Sequence, residues 1–169
     1  MSPPFRLEPL GAEHDRPSFA CGQESLDRYL HTQATQDVRR RIAACFVAVE
    51  DATGKLAAYY TIASAGIPTP DLPPELTKRL PRYPSIPAVR IGRLAVDLKF
   101  RGRGLGAALL ADALRRVLLS PPAVFALLVD AKDDQAAAFY RHHGFVPLSN
   151  YNESRTLFLP VATAEKLFR

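Results

Sequence analysis

The chain has 169 residues, which fits one domain whose core needs no disulfide or metal staple. A content of 47% hydrophobic and 23% charged residues excludes an intrinsically disordered chain. No apolar run approaches the ~20 residues of a membrane-spanning helix, and Met1–Leu10 lacks the apolar stretch of a secretory signal, so a cytoplasmic protein away from membranes is expected.

Taken in chain order, Phe5–Leu10 reads as a short extended start. Leu26, Leu30, Ala34 and Val38 recur every four residues and predict one helix over 23–39. Residues 45–50 and 56–64 are apolar and β-rich on either side of Asp51-Ala52-Thr53-Gly54, which predicts a hairpin. Seven prolines between Pro68 and Pro87 predict a long stiffened excursion with a short helix at 74–80. A strand over 88–97 follows, then a helix over 105–118 with Leu105, Leu109, Ala113, Leu114, Val117 and Leu118 on one face. Residues 124–130 form a continuous apolar run of the kind buried on both faces. Asp134 is placed to cap a helix over 135–142 that Gly144 ends, and 145–148 and 155–159 read as closing strands. The order β-α-β-β-β-α-β-α-β-β predicts an α/β (α+β) fold with a mixed sheet, as one domain over 1–169.

Net charge is +5, and its distribution is uneven. Lys78, Arg79, Arg82, Arg90, Arg93, Lys99, Arg101 and Arg103 lie in one stretch whose only acid is Asp97. Seventeen of the 22 basic residues are arginine, whose planar fork suits phosphate. A polyanionic partner is expected. Cys21 and Cys45 are too few for a disulfide framework and read as buried thiols. Neither their spacing nor the adjacent pair His142-His143 suits a metal, and no metal is expected. The two histidines fall at a helix end and read as structural.

The informative unit is the strand Ile91–Asp97, then Arg101-Gly102-Arg103-Gly104-Leu105-Gly106, then the helix. Glycine at every second position lets backbone N–H groups approach an anion, and the helix start adds unpaired N–H groups and partial positive charge. This is a candidate pyrophosphate cradle. It has neither the P-loop string nor the G-x-G-x-x-G spacing of a dinucleotide fold.

Arg101, Gly104 and Gly106 match the motif [QR]-x-x-G-x-[GA], so the chain resembles the Gcn5-related N-acetyltransferases. Downstream, Asp133, Ala136, Tyr140, Gly144 and Phe145 stand where that family shows N-x-x-A-x-x-x-Y-x-x-x-G-F, with Asp in the first place. Phe19–Leu30, Gly92–Asp97 and Ala131–Asp134 further resemble the acetyltransferase toxins of bacterial toxin–antitoxin pairs, a branch that Asp133 fits. The resemblance covers about residues 5–160. It implies a mostly antiparallel mixed sheet with splayed central parallel strands, and acetyl-CoA as co-substrate. It implies acetylation of the α-amine of aminoacyl-tRNA, a ribbon-helix-helix antitoxin partner and a homodimer. Leu94, Ala95 and Val96 are then expected to bind the cofactor through their backbones. Arg101, Gly102, Arg103, Gly104, Leu105 and Gly106 would take its pyrophosphate, and Asp133, Ala136 and Phe139 would complete its site. Tyr140 is the expected general acid, since a phenol of pKa ~10 keeps its proton at neutral pH. Arg79, Arg82, Arg90 and Arg93 are expected to hold tRNA phosphates. Two other functions also fit: acetylation of a small amine or protein N-terminus, and a non-catalytic module that binds acetyl-CoA or nucleic acid.

Overall fold

A computed structural model describes residues 4–148 and 155–165; the ends of the expected 1–169 domain and residues 149–154 lie outside the described residues. Among the described residues, seven strands form one mixed sheet in the order β1-β2-β3-β4-β5-β7-β6. The elements are β1 (Phe5–Pro9), α1 (Glu24–Arg28), α2 (Ala34–Arg39), β2 (Ala44–Glu50), β3 (Leu56–Pro68), α3 (Pro74–Thr77) and β4 (Ser85–Val96). There follow α4 (Leu105–Leu119), β5 (Ala126–Asp130), α5 (Asp134–His142), β6 (Val146–Pro147), β7 (Thr156–Pro160) and α6 (Val161–Glu165). The order agrees with the sequence reading, with α6 added. Among the described residues no helix is long and apolar enough to cross a membrane.

The chain divides into two compact units. One comprises the described residues up to Ala63 together with Gly92–Ala113. Here β1, β2 and β3 pair antiparallel in sequence order, so the predicted hairpin is present. The register between β2 and β3 slips after Ala48, where Val49 pairs with Leu56 and Ala57 is skipped. The carbonyl of Ala57 accepts instead from the N–H of Asp97, so the bulge redirects one backbone group to the end of β4. One core cluster joins Phe19, Tyr29, Leu30, Val47, Leu56 and Tyr59. A second joins Tyr60, Phe100, Leu105, Leu109 and Ala113, the last three spaced by four along α4 so that they share one helix face.

The predicted 23–39 helix forms in three pieces. Between α1 and α2 the turn Tyr29–Gln33 is π-helical. One extra residue in a turn rotates the helix face. Tyr29 and Leu30 stay buried, Tyr29 OH donates to Asp37 at 2.8 Å and Tyr59 OH donates to the Leu26 carbonyl at 2.6 Å. Cys21 and Cys45 are buried as expected, and burial pushes the Cys45 thiol up to about 12.

The other unit comprises Ser64–Ile91 and the described residues from Leu114 on. Strand β5 pairs parallel with β4 over Ala126–Val129 and antiparallel with β7, which pairs in turn with β6. Ala126–Val129 are buried throughout, as their unbroken apolar run requires. Ile67, Leu72, Ile86, Ala88, Leu128 and Phe158 share a core. The proline-rich excursion is shorter than predicted. Pro68 ends β3 and Pro87 lies inside β4, because hydrophobic Ile67 and Ile86 hold those flanks in the sheet. The short helix stops at Thr77. The cap of α5 is Asp133, whose side chain accepts from the Ala136 N–H at 2.8 Å, not Asp134, which is already helical. Gly144 follows α5 at φ 97°, as the sequence suggests.

Tyr59→Phe removes the hydroxyl that donates to the Leu26 carbonyl, which keeps the Tyr29 backbone N–H. It should lower unfolding free energy by about 1–2 kcal/mol in urea titration, with the slope unchanged.

Candidate active site

In the first unit the end of β4 leads into the glycine turn. Beyond Val96 comes Asp97, a 3-10 turn at Leu98–Phe100, the glycine turn and then α4. Gly102 and Gly104 both adopt left-handed torsions, at φ 78° and 75°. A methyl group built on either would meet nothing within 4 Å, so crowding does not select these glycines. The backbone does. Left-handed residues alternating with ordinary ones turn successive N–H groups to one side and form a concave anion nest. The Gly104 carbonyl accepts from the Ala108 N–H, so the nest runs directly into the first turn of a 15-residue helix. Leu105 is buried and anchors that turn, Gly106 is the second helical residue, and Arg101–Gly104 face solvent. The residues fit a pyrophosphate held by backbone N–H groups.

The two arginines of the turn are engaged within the protein. Arg101 Nη2 donates to the Cys21 carbonyl at 2.7 Å. Arg103 lies over the Phe5 ring, 4.8 Å from its centre, with Glu50 at 3.6 Å. Asp97, to which the sequence reading gave no role, stands at the entrance of this turn. It is only 4% exposed, and its two carboxylate oxygens accept from the N–H groups of Ala20 at 2.9 Å and Lys99 at 2.8 Å. Its signal in the sequence was its isolation, a single acid among eight bases.

Ala95 is buried, and Leu94 and Val96 are half-buried and pack on the Tyr60–Leu109 core. The parallel ladder covers Ala88–Ile91 of β4, while β4 itself continues as strand to Val96. Arg93, on the same stretch, lies flat on Tyr29 with its guanidinium carbon 3.5 Å from the ring centre, a cation–π contact. Burial, then the bond to Asp37, raises the Tyr29 phenol above its usual range.

The second unit carries Tyr140, on α5. It is 6% exposed, and its ring meets Phe139 and Phe145 edge-on at 5.2 and 5.3 Å. Burial alone pushes its phenol up to about 12. Tyr29, Tyr59 and Tyr60 spend their hydroxyls on Asp37, Leu26 and Asp112, whereas the Tyr140 hydroxyl donates to no other described residue. Phe139 also packs on His143, whose imidazole burial and His142 hold below the usual range. Asp133 is spent on capping α5 and Ala136 supplies the N–H it accepts from. Arg90 pairs with Asp130. Arg79 and Arg82 are exposed on the excursion, beside exposed Tyr83.

Glu8, Glu13 and His14 are the one group among the described residues with metal-ligand composition. They do not fit a cation. The Gly11 N–H donates to His14 Nδ1 at 2.9 Å, so the neutral ring carries its proton on Nε2, the atom that faces the two carboxylates.

Gly104→Ala should cost about 1–2 kcal/mol of stability through the left-handed torsion alone, without any clash. Thermal unfolding checks the cost, and a stability unchanged by the substitution would contradict the assigned backbone.

Residues 41–147 match the model of the acetyltransferase (GNAT) domain. The tRNA-acetylating toxin of Mycobacterium tuberculosis (strain ATCC 25618 / H37Rv) is 37% identical over 133 residues, 78% of each chain. A protein of Sinorhizobium fredii (strain NBRC 101917 / NGR234), described as probable toxin TacT, is 30% identical over 95% of this chain and 93% of its own. Among solved structures, AtaT complexed with acetyl-methionyl-tRNAfMet is 31% identical, covers 98% of this chain and 99% of its own, and superposes with a TM-score of 0.89. A tyrosine-to-phenylalanine mutant of AtaT, bound to acetyl-CoA and the C-terminus of the antitoxin AtaR, is 27% identical over 98% of this chain and 99% of its own, with a TM-score of 0.79.

Proposed function

The chain belongs to the acetyltransferase (GNAT) family, and from that premise we propose that it moves the acetyl group of acetyl-CoA to the α-amine of aminoacyl-tRNA and so blocks translation. The observation that carries this reading is likeness along almost the whole chain to AtaT, whose structure holds acetyl-methionyl-tRNAfMet. The proposed unit is the whole chain 1–169, acting as one N-acetyltransferase domain in the cytoplasm.

Acetyl-CoA supplies an acyl thioester. Its pyrophosphate is assigned to the backbone nest of Gly102–Gly106, with Arg101 and Arg103 adding positive charge nearby. Backbone groups of Leu94–Val96, on the part of β4 beyond its parallel ladder, are assigned to the pantetheine arm and to polarising the thioester carbonyl. Ala136 and Phe139 are assigned to the wall on α5. Asp133 serves by capping that helix.

The amine nitrogen forms the new C–N bond and the C–S bond breaks. The sulfur takes its proton from Tyr140, and the proton released by the amine restores the phenol. Tyr140 suits this role because its hydroxyl is uncommitted within the described protein and its raised pKa of about 12 keeps the proton in place. No general base is needed for an α-amine. At pH 7 a lysine amine of pKa ~10.4 is neutral in about one molecule in 2,500, against roughly a tenth for an α-amine of pKa ~7.7–8. The neighbouring ester of aminoacyl-tRNA raises that fraction further.

For tRNA phosphates, Arg79 and Arg82 are exposed and carry no ion pair among the described residues. Arg90 is paired with Asp130 and Arg93 is stacked on Tyr29, so these two contribute charge more than a free donor set. The antitoxin partner is proposed to be a ribbon-helix-helix protein, and the active species a homodimer.

Tyr140→Phe should lower kcat on charged tRNA by about 10²–10⁴ while the KM for acetyl-CoA stays unchanged. In the unmutated protein the rate should rise with pH as the amine deprotonates, with no falling limb from Tyr140 below about pH 11, one unit under its pKa of about 12. A fall near pH 8–9 that disappears in Tyr140→Phe would contradict the assignment. Arg79→Ala and Arg82→Ala should each weaken tRNA binding and reduce its salt slope by about 1, without changing acetyl-CoA binding.

A further inference from the structure

The glycine turn is tied to a segment 80 residues away in the chain. The Ala20 N–H donates to Asp97 Oδ2 at 2.9 Å, and the Leu98 N–H donates back to the Ala20 carbonyl at 2.9 Å. Next along, the Cys21 carbonyl accepts from Arg101 Nη2 at 2.7 Å. Gly22 follows at φ 92°, where an added Cβ would stand 3.4 Å from the Leu98 side chain and 3.6 Å from Arg101 Nη2. At its other face the same segment is held by α1, since the Cys21 N–H donates to Asp27 Oδ1 at 2.8 Å. Three residues, Ala20–Gly22, thus strap the entrance of the cofactor turn to the start of the α1–π–α2 element.

The bonds are charge-assisted at three points, and Asp97 is nearly inaccessible to water. A buried carboxylate accepting two N–H groups cannot lose either one without leaving a polar group unpaired. The strap and the turn must therefore be ordered together or released together. Arg101, the residue that opens the glycine motif, uses its guanidinium to hold a carbonyl of the strap. That contact is spent on the shape of the turn.

We propose that Asp97 and Arg101 are positioning residues that couple the cofactor turn, through the Ala20–Gly22 strap, to the α1–α2 element, so that each side orders the other. This rests on the acetyl-CoA reading of the glycine turn. Coupling of this kind is reciprocal: cofactor on the turn stabilises residues 20–39, and whatever stabilises 20–39 raises affinity for the cofactor.

The test is hydrogen–deuterium exchange on the full chain with and without saturating CoA, together with acetyl-transfer kinetics. In the unmutated protein CoA should slow exchange at 102–108 and also at 20–39, by about tenfold at the strap. Asp97→Asn keeps the shape but turns an N–H₂ group toward one of the two N–H donors. It should raise the KM for acetyl-CoA about tenfold with little change in kcat, and CoA should then protect 102–108 but not 20–39. Asp27→Ala removes the acceptor of the Cys21 N–H and so cuts the strap at its other end, outside the turn and with no buried carboxylate removed. There CoA should still protect 102–108 and 20–22, while protection of 24–39 is lost. CoA protection confined to 102–108 in the unmutated protein overturns the coupling and leaves the cofactor reading standing. Protection of 24–39 that survives both substitutions overturns it as well. No protection at 102–108 overturns the cofactor reading, and the coupling with it.

Discussion

The buried carboxylate of Asp97 closes β4 and opens everything that follows. Its own N–H is taken by the Ala57 carbonyl that the β2–β3 bulge releases, and its side chain fixes Ala20 and Lys99. That junction is where the 3-10 turn at Leu98–Phe100 begins, and the glycine turn with Gly102 and Gly104 follows it. The far end is held by packing. Leu105, Leu109 and Ala113 lock α4 onto Tyr60 and Phe100, and Tyr60 OH donates to Asp112 on the same helix. The glycine turn is thereby held in one conformation by neighbours on both sides, which suits the pyrophosphate role proposed for it.

The chemistry assigned to the site depends little on unusual side chains. The nest and the strand end work through backbone N–H groups, which need only correct torsions. The proton donor needs an uncommitted hydroxyl that stays protonated, and burial of Tyr140 provides the second condition. Choosing an α-amine acceptor removes the need for a strong base, and a tRNA acceptor gives the exposed arginines of the excursion a polyanion to meet. These features belong together: weak demands on proton abstraction, strong demands on phosphate.

Much of this was legible in the residues. The Gly-x-Gly-x-Gly turn before a four-fold apolar periodicity defined the strand–nest–helix unit, and the unbroken run Ala126–Val129 defined a doubly covered strand. Other features depend on tertiary contacts that no local pattern encodes. The π-turn at Tyr29–Gln33 arises because Tyr29 and Leu30 must both face the core while Asp37 meets the Tyr29 hydroxyl. The helix cap shifted from Asp134 to Asp133 because either aspartate satisfies the sequence rule and only the backbone distinguishes them. The arginines were the least legible. Their number predicted a polyanionic partner, but Arg101 on a carbonyl, Arg93 on an aromatic ring and Arg90 on a carboxylate are roles set by what the fold brings beside them.

The most direct test of the account is transfer of radiolabelled acetyl from acetyl-CoA to a pool of charged tRNAs, alongside uncharged tRNA, free amino acids and a lysine peptide. Label on charged tRNA alone, released with the aminoacyl group by mild base, is the predicted result. Label on the peptide or a free amine, with none on charged tRNA, would keep the acetyltransferase and contradict the acceptor assigned to it.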